Sequence, residues 1–171
     1  MRIPYTPDPP APTTDEEAAI VQRIQARRAP RPLQALDLAL LHSPPVADGW
    51  NSFLGAIRTK TTLAADLREL AISRVAVCNK AWYEWGHHAP LAVRAGVSEE
   101  ALEVVKKDGS LGGERPRLYL NERQWAVLVF ADEMTRNVQV SEGTFALVKE
   151  LFNEREVVEI TATVSHCLLA R

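Results

Sequence analysis

The sequence predicts an all-α fold, and two observations predict it. Apolar residues recur at the helical period in segment after segment, and no segment alternates at period 2 like a half-buried strand. Between these segments stand residues that start or stop helices: Thr14, Ser98, Asn121 and Ser141 as caps, prolines as punctuation, Gly96 as a terminator.

The elements follow in order. Residues 1–13, MRIPYTPDPPAPT, hold five prolines and are expected to form an extended arm, with Ile3 and Tyr5 as anchors if it drapes over a neighbouring subunit. Residues 14–171 are expected to form one domain. Thr14 with Asp15, Glu16 and Glu17 opens a first helix to Arg28, where acids favour the positive end of the helix dipole. Pro30 and Pro32 separate it from a second helix, Leu33 to His42. Pro44 and Pro45 interrupt again before a third, Val46 to Thr59. Thr62 caps a fourth, Leu63 to Cys78. The fifth runs from Ala81 to Ala95, with Pro90 predicting a kink or a broken turn inside it. Ser98 opens a sixth to Lys107, and 108–120 reads as loop. Asn121, Ser141 and about Asn153 open the last three, and the ninth has no stop signal before Arg171.

At 171 residues the chain is long enough to bury a core without disulfide or metal. Its net charge of −2 is unlike that of a nucleic-acid binder. No apolar run is long enough to span a membrane, and the first residues lack the layout of a signal peptide, so the expectation is a cytoplasmic protein. Cys78 and Cys167 form no CxxC and read as small buried apolar groups.

The fourth helix is apolar on two sides and is expected to be central. Leu63, Leu67, Leu70, Val77 and Cys78 share one stripe, with Arg74 inside it. Ala65, Ile72 and Ala76 share another, with Glu69 among them. Arg74 has two readings: an ion pair with Glu69 across a subunit boundary, or with Glu159 or Glu133, and a bidentate anchor for a substrate carboxylate. On the fifth helix Trp82, Trp85, Ala89, Ala92 and Val93 form the core stripe. Glu84 and His88 lie about 40° apart on a second stripe, while His87 lies further round beside Tyr83 and Arg94. Glu84 and His88 therefore pair a carboxylate with a group that titrates near neutrality. A satisfied Glu–His hydrogen bond without chemistry is the plain alternative. Glu84-x-x-His87 matches half of a di-iron helical motif, but such sites need two copies and two further carboxylates, so no metal is expected. His42 reads as a cap or packing residue, and His166 as a core or subunit contact.

The string LRELAISRVAVCNKAWYEWGHHAPLAVRAGVSEEAL resembles the carboxymuconolactone decarboxylase family of the alkyl hydroperoxidase D-like superfamily. The resemblance is strongest over 62–105 and extends from Leu33, through LHSPPVADGW, to the last helix. It leaves the N-terminal arm outside. It implies an all-α homo-oligomer: a trimer, hexamer or related assembly. The peroxidase branch carries a Glu, a CxxC and a His one turn later. Glu69 matches that Glu and His88 that His, but the two thiol positions fall on Ala81 and Glu84. A dithiol peroxide reductase cannot run on these residues.

The resemblance thus implies the decarboxylase-like branch: a cofactor-free lyase using acid–base catalysis on a small unsaturated carboxylic acid, lactone or aromatic compound. The expected catalytic residues are His88 as general acid, Glu84 orienting it, His87 as a second donor, and Glu69. The expected substrate contacts are Arg74, Trp50, Trp82 and Tyr83. No cofactor, metal, nucleic-acid or membrane partner is expected. The rivals are a non-catalytic oligomeric binding protein on the same scaffold and a thiol-dependent peroxide reductase.

Overall fold

The computed structural model describes residues 3–169, which form helices and no strand. In order these are α1 (Asp15–Arg28), α2 (Ala35–Leu40), α3 (Pro44–Thr59), α4 (Ala65–Cys78), α5 (Trp82–Arg94), α6 (Glu99–Val105), α7 (Glu122–Asn137), α8 (Glu142–Leu151) and α9 (Glu154–Leu169). Their contacts divide the chain into two compact units, Met1–Thr61 and Thr62–Arg171.

In the first unit, Ile20, Val21 and Ile24 of α1 close on Leu41 and Ala47. Arg28 and Asp37 form a buried bidentate pair at 2.8 and 2.9 Å. Pro44 and Pro45 open α3 rather than precede it, because the first helical position has no use for an N–H. The arm is tied down by Thr6, whose N–H and hydroxyl both donate to Leu38 O, and by His42, whose Nε2 meets Pro4 O at 2.7 Å. His42 is thus a tether for the arm rather than a cap. Ile3 and Tyr5 stay half exposed.

The second unit is built around α4, which packs on α5, α6, α7 and α9. Leu63, Leu67, Ala71 and Val75 meet Val127 and Phe130 of α7 and Ile160 and Val164 of α9. Leu70 and Val77 face Ala89 and Ala92 of α5 and Val105 beyond. Each fully buried Leu, Ile, Val or Phe contributes about 1.5–3 kcal/mol. Thr62 is not the cap of α4: the N-cap is Ala64, which has no hydroxyl. Instead the N–H groups of Thr62 and Leu63 and the Thr62 hydroxyl all donate to Glu159 of α9 at 2.9–3.0 Å. Arg74 is ion-paired, but not with Glu69, Glu159 or Glu133 as expected. Its Nε and Nη2 donate to Asp132 of α7 at 2.8 and 2.6 Å. The remaining donors go to the carbonyls of Val105, Lys107 and Gly109. Asp132 also accepts from Arg136, Cys78 and the Leu111 N–H.

The turns follow from backbone geometry. α5 ends in a Schellman motif, with Gly96 at φ +96°, its N–H to Val93 O and the Val97 N–H to Ala92 O. The same motif ends α4, with Lys80 at φ 54° in the left-handed position and Ala81 N–H to Ala76 O. Val138 ends α7 at φ 58°, a conformation that a β-branched residue adopts only under strain. α5 runs unbroken through Pro90, so the expected broken turn does not form. Pro90 lies on the exposed side, where the Gly86 carbonyl that lacks its N–H partner can tilt towards water.

Three outcomes follow. Val138 is 89% exposed, so its side chain contributes little. Val138→Gly should raise stability by about 1 kcal/mol and the melting temperature by ~2–4 °C. Asp132→Ala leaves the Arg74 guanidinium buried without its counter-charge and should cost about 3–5 kcal/mol in denaturant unfolding. For Asp132 and Glu159, burial pushes the carboxyl up, but the hydrogen bonds and cations around each overcome it and hold it below its ordinary range. A carboxyl depressed on folding stabilises the fold above its unfolded value, and that contribution is lost as pH falls through the folded value. Stability should therefore decline on acidification below the ordinary carboxylate range. Glu159→Gln should show a shallower acid limb in unfolding titrations, and an unchanged limb would mean that the helix-end contacts contribute nothing.

Candidate active site

Glu69 and His88 face each other between α4 and α5. Glu69 is the fifth residue of α4, on the side turned to α5, and His88 lies in the middle of α5. His88 Nδ1 is 2.7 Å from Glu69 Oε2, and the two residues are 4% and 6% exposed. An ionised carboxylate only accepts, so the Nδ1 proton is the one donated. That fixes the ring and leaves Nε2 on the opposite side. Glu84 Oε2 stands 3.5 Å from Nε2, one helical turn back on α5, with its side chain 27% exposed. Arg68 adds a cation 3.3 Å from Glu69 Oε1. Burial pushes the Glu69 carboxyl up; the hydrogen bond and charge of His88, with Arg68, overcome this and hold it lowered.

The geometry therefore gives the two carboxylates different places. The expectation was that Glu84 orients His88. The short buried contact belongs instead to Glu69, in the manner of a carboxylate that fixes an imidazole through Nδ1. Glu84 occupies the more open side, next to Nε2.

The other expected residues are arranged as follows. His87 is exposed, with Nδ1 donating to Tyr83 O at 2.8 Å and its ring 4.3 Å from that of Tyr83. Trp82 and Tyr83 are 61% and 65% exposed. Trp50 is half-buried on α3, in the first unit. Arg74 is corrected as a substrate anchor: it is wholly buried and all five of its N–H groups are already used by Asp132 and three carbonyls. His166 is buried on α9. Cys78 is half-buried, its thiol donates to Asp132 at 3.3 Å, and burial pushes its pKa up to about 11. Such a thiol is not activated as a nucleophile near neutrality. Among the described residues no group of three or more His, Cys, Asp or Glu side chains is placed to hold a metal ion, and no helix is long and apolar enough to cross a membrane.

Asp132 is the residue that the sequence reading missed. It stands one turn after Leu128, on a side of α7 that is otherwise apolar. A lone acid on an apolar stripe is a sign of a buried cation partner.

Comparison with curated proteins and with solved structures gives no match. Comparison with family models gives one, over residues 44–111, a span that contains Glu69, Glu84, His87 and His88. The all-helical architecture is consistent with the alkyl hydroperoxidase D-like superfamily, and the segment 44–111 is similar to the carboxymuconolactone decarboxylase family, whose model it matches.

Proposed function

We propose that the protein is a cofactor-independent lyase of the decarboxylase type, acting by acid–base catalysis on a small unsaturated carboxylic acid, lactone or aromatic compound. The observation that carries the reading is the buried Glu69–His88 contact of 2.7 Å, with Nε2 left facing a second, partly exposed carboxylate. A merely structural histidine needs no carboxylate at its second nitrogen.

Loss of carbon dioxide breaks a carbon–carbon bond and leaves its electron pair on the substrate. A conjugated carbonyl or lactone in the substrate accepts that pair. The product then takes up one proton, so each turnover consumes one. His88 Nε2–H supplies it, and the Glu69 carboxylate stabilises the imidazolium that must exist before the transfer. Glu84 touches both solvent and the Nε2 side, so it suits the return of a proton to His88 between turnovers. His87, on the exposed side, takes no part in this relay. Trp82 and Tyr83 supply flat apolar surface beside Glu84 for an unsaturated ring.

The test is turnover of candidate unsaturated acids and lactones followed by release of carbon dioxide. His88→Ala should lower kcat by ~10²–10⁴. Glu69→Gln should also lower kcat and should move the histidine limb of the pH–rate profile to lower pH, since it removes the negative charge that favours the imidazolium. Glu84→Gln should reduce kcat with little change in KM, and His87→Ala should cost less than His88→Ala. A chelator should leave the rate unchanged. Full turnover by a folded His88→Ala variant would make the Glu69–His88 pair structural and defeat the proposal.

A further inference from the structure

Ser73 is wholly buried on α4, and its hydroxyl has no hydrogen-bond partner among the described residues. Elsewhere in the fold, buried and half-buried helix hydroxyls are met locally. Thr135, Thr161, Thr163 and Ser165 each donate to the carbonyl four residues back, at 2.6–2.8 Å. Ser73 makes no such bond. A buried hydroxyl left unmet is destabilising, and native folds hold few of them.

The helical hairpin places this hydroxyl. Ser73 lies four residues after Glu69, so the two side chains leave α4 about 40° apart, on the side turned to α5. Two contacts set the register of α4 on α5. Glu69 meets His88. Seven residues further along α4, the Ala76 carbonyl meets the N–H of Ala81, seven residues back from His88. Four residues on from Glu69 and four back from His88 stand Ser73 and Glu84. Ser73 therefore shares a layer with Glu84. His88 turns Nε2 towards the same layer, since Nδ1 is taken by Glu69 and Glu84 Oε2 stands 3.5 Å from Nε2. Of these four side chains only that of Glu84 is more than a tenth exposed, so the way in from solvent passes Glu84.

We infer that Ser73 is the oxyanion donor of this site: its hydroxyl donates to the substrate oxygen that takes up the electron pair. The assignment deepens the lyase reading and rests on it for the reaction. The pair from the broken carbon–carbon bond moves through the conjugated system onto a carbonyl oxygen, which becomes an enolate oxygen as carbon dioxide leaves. That oxygen accepts a hydrogen bond from Ser73, with no proton transferred. His88 Nε2–H then gives its proton to carbon, and the carbonyl re-forms. A fixed donor shielded from water is most effective where charge develops during the reaction. The substrate class narrows accordingly. A neutral carbonyl fits beside the Glu84 carboxylate better than a second anion does, so the electron sink is a lactone or ketone carbonyl and not the carboxylate of a simple acid.

Three measurements test the assignment. Without ligand, Ser73→Ala removes an unmet hydroxyl and should raise the melting temperature by about 2–4 °C. A fall would show that the hydroxyl has a structural partner and would overturn the inference. Coumarin, a neutral unsaturated lactone, serves as the probe. When bound, its carbonyl stretch should lie at lower frequency in the parent protein than in Ser73→Ala. Equal frequencies, or no binding by the parent, would overturn the inference. In turnover of the unsaturated acids and lactones, Ser73→Ala should lower kcat by ~10²–10³ with KM little changed. Full turnover by Ser73→Ala beside an impaired His88→Ala would defeat this assignment alone. Absence of carbon dioxide release, together with a Ser73-dependent carbonyl shift, would defeat the lyase reading and leave the donor in place.

Discussion

The second unit depends on one buried charge. The Arg74 guanidinium has no exposed surface, and a cation in such a place costs several kcal/mol unless every donor is met. Here every donor is met, from three different directions: a carboxylate on α7 and carbonyls on both sides of the end of α6. The arginine therefore fixes where α4 stands against α7 and how the segment after α6 is folded. Asp132 extends the same constraint, since its second oxygen holds the Leu111 N–H. The opposite side of α4 is left free to present Glu69 to α5.

The starts of several helices in this chain are satisfied in one of two ways. Thr14, Ser98, Asn121 and Ser141 accept from N–H groups of their own first turn. The segment leading into α4 relies instead on a carboxylate from another helix, Glu159. Glu133 of α7 does similar service ahead of α8, where it accepts from the N–H and hydroxyl of Ser141 and from the Thr144 hydroxyl. Both glutamates had been considered as partners for Arg74. Both are committed to helix ends.

This divides what was legible in the sequence from what was not. The helices were legible because their signals are local: period, cap and terminator all lie within a few residues. The Glu84–His88 relation was legible for the same reason, being one turn of one helix. Glu69 could be placed near His88 through the family resemblance alone, since periodicity does not tell which faces of two helices meet. The partners of Arg74, Thr62 and His42 were not legible. Each lies tens of residues away, and several acids of equal chemistry compete for every cation. Of the kink or broken turn that Pro90 predicts, the break is averted where the helix is exposed and the freed carbonyl can reach water.

The turn at Asn79–Ala81 joins the helix that carries Glu69 to the helix that carries His88, with Lys80 forced into the left-handed region to make it that short. The Glu69–His88 pair is consequently only 19 residues apart along the chain, against 58 for Arg74 and Asp132. Closing the shorter loop costs about 1 kcal/mol less in chain entropy. Contacts of short range form early in folding, so the imidazole and its carboxylate belong to a helical hairpin that can come together before the buried arginine finds its place. The Glu69–His88 pair is held in a local contact between consecutive helices, and the rest of the unit is the scaffold that makes that contact permanent.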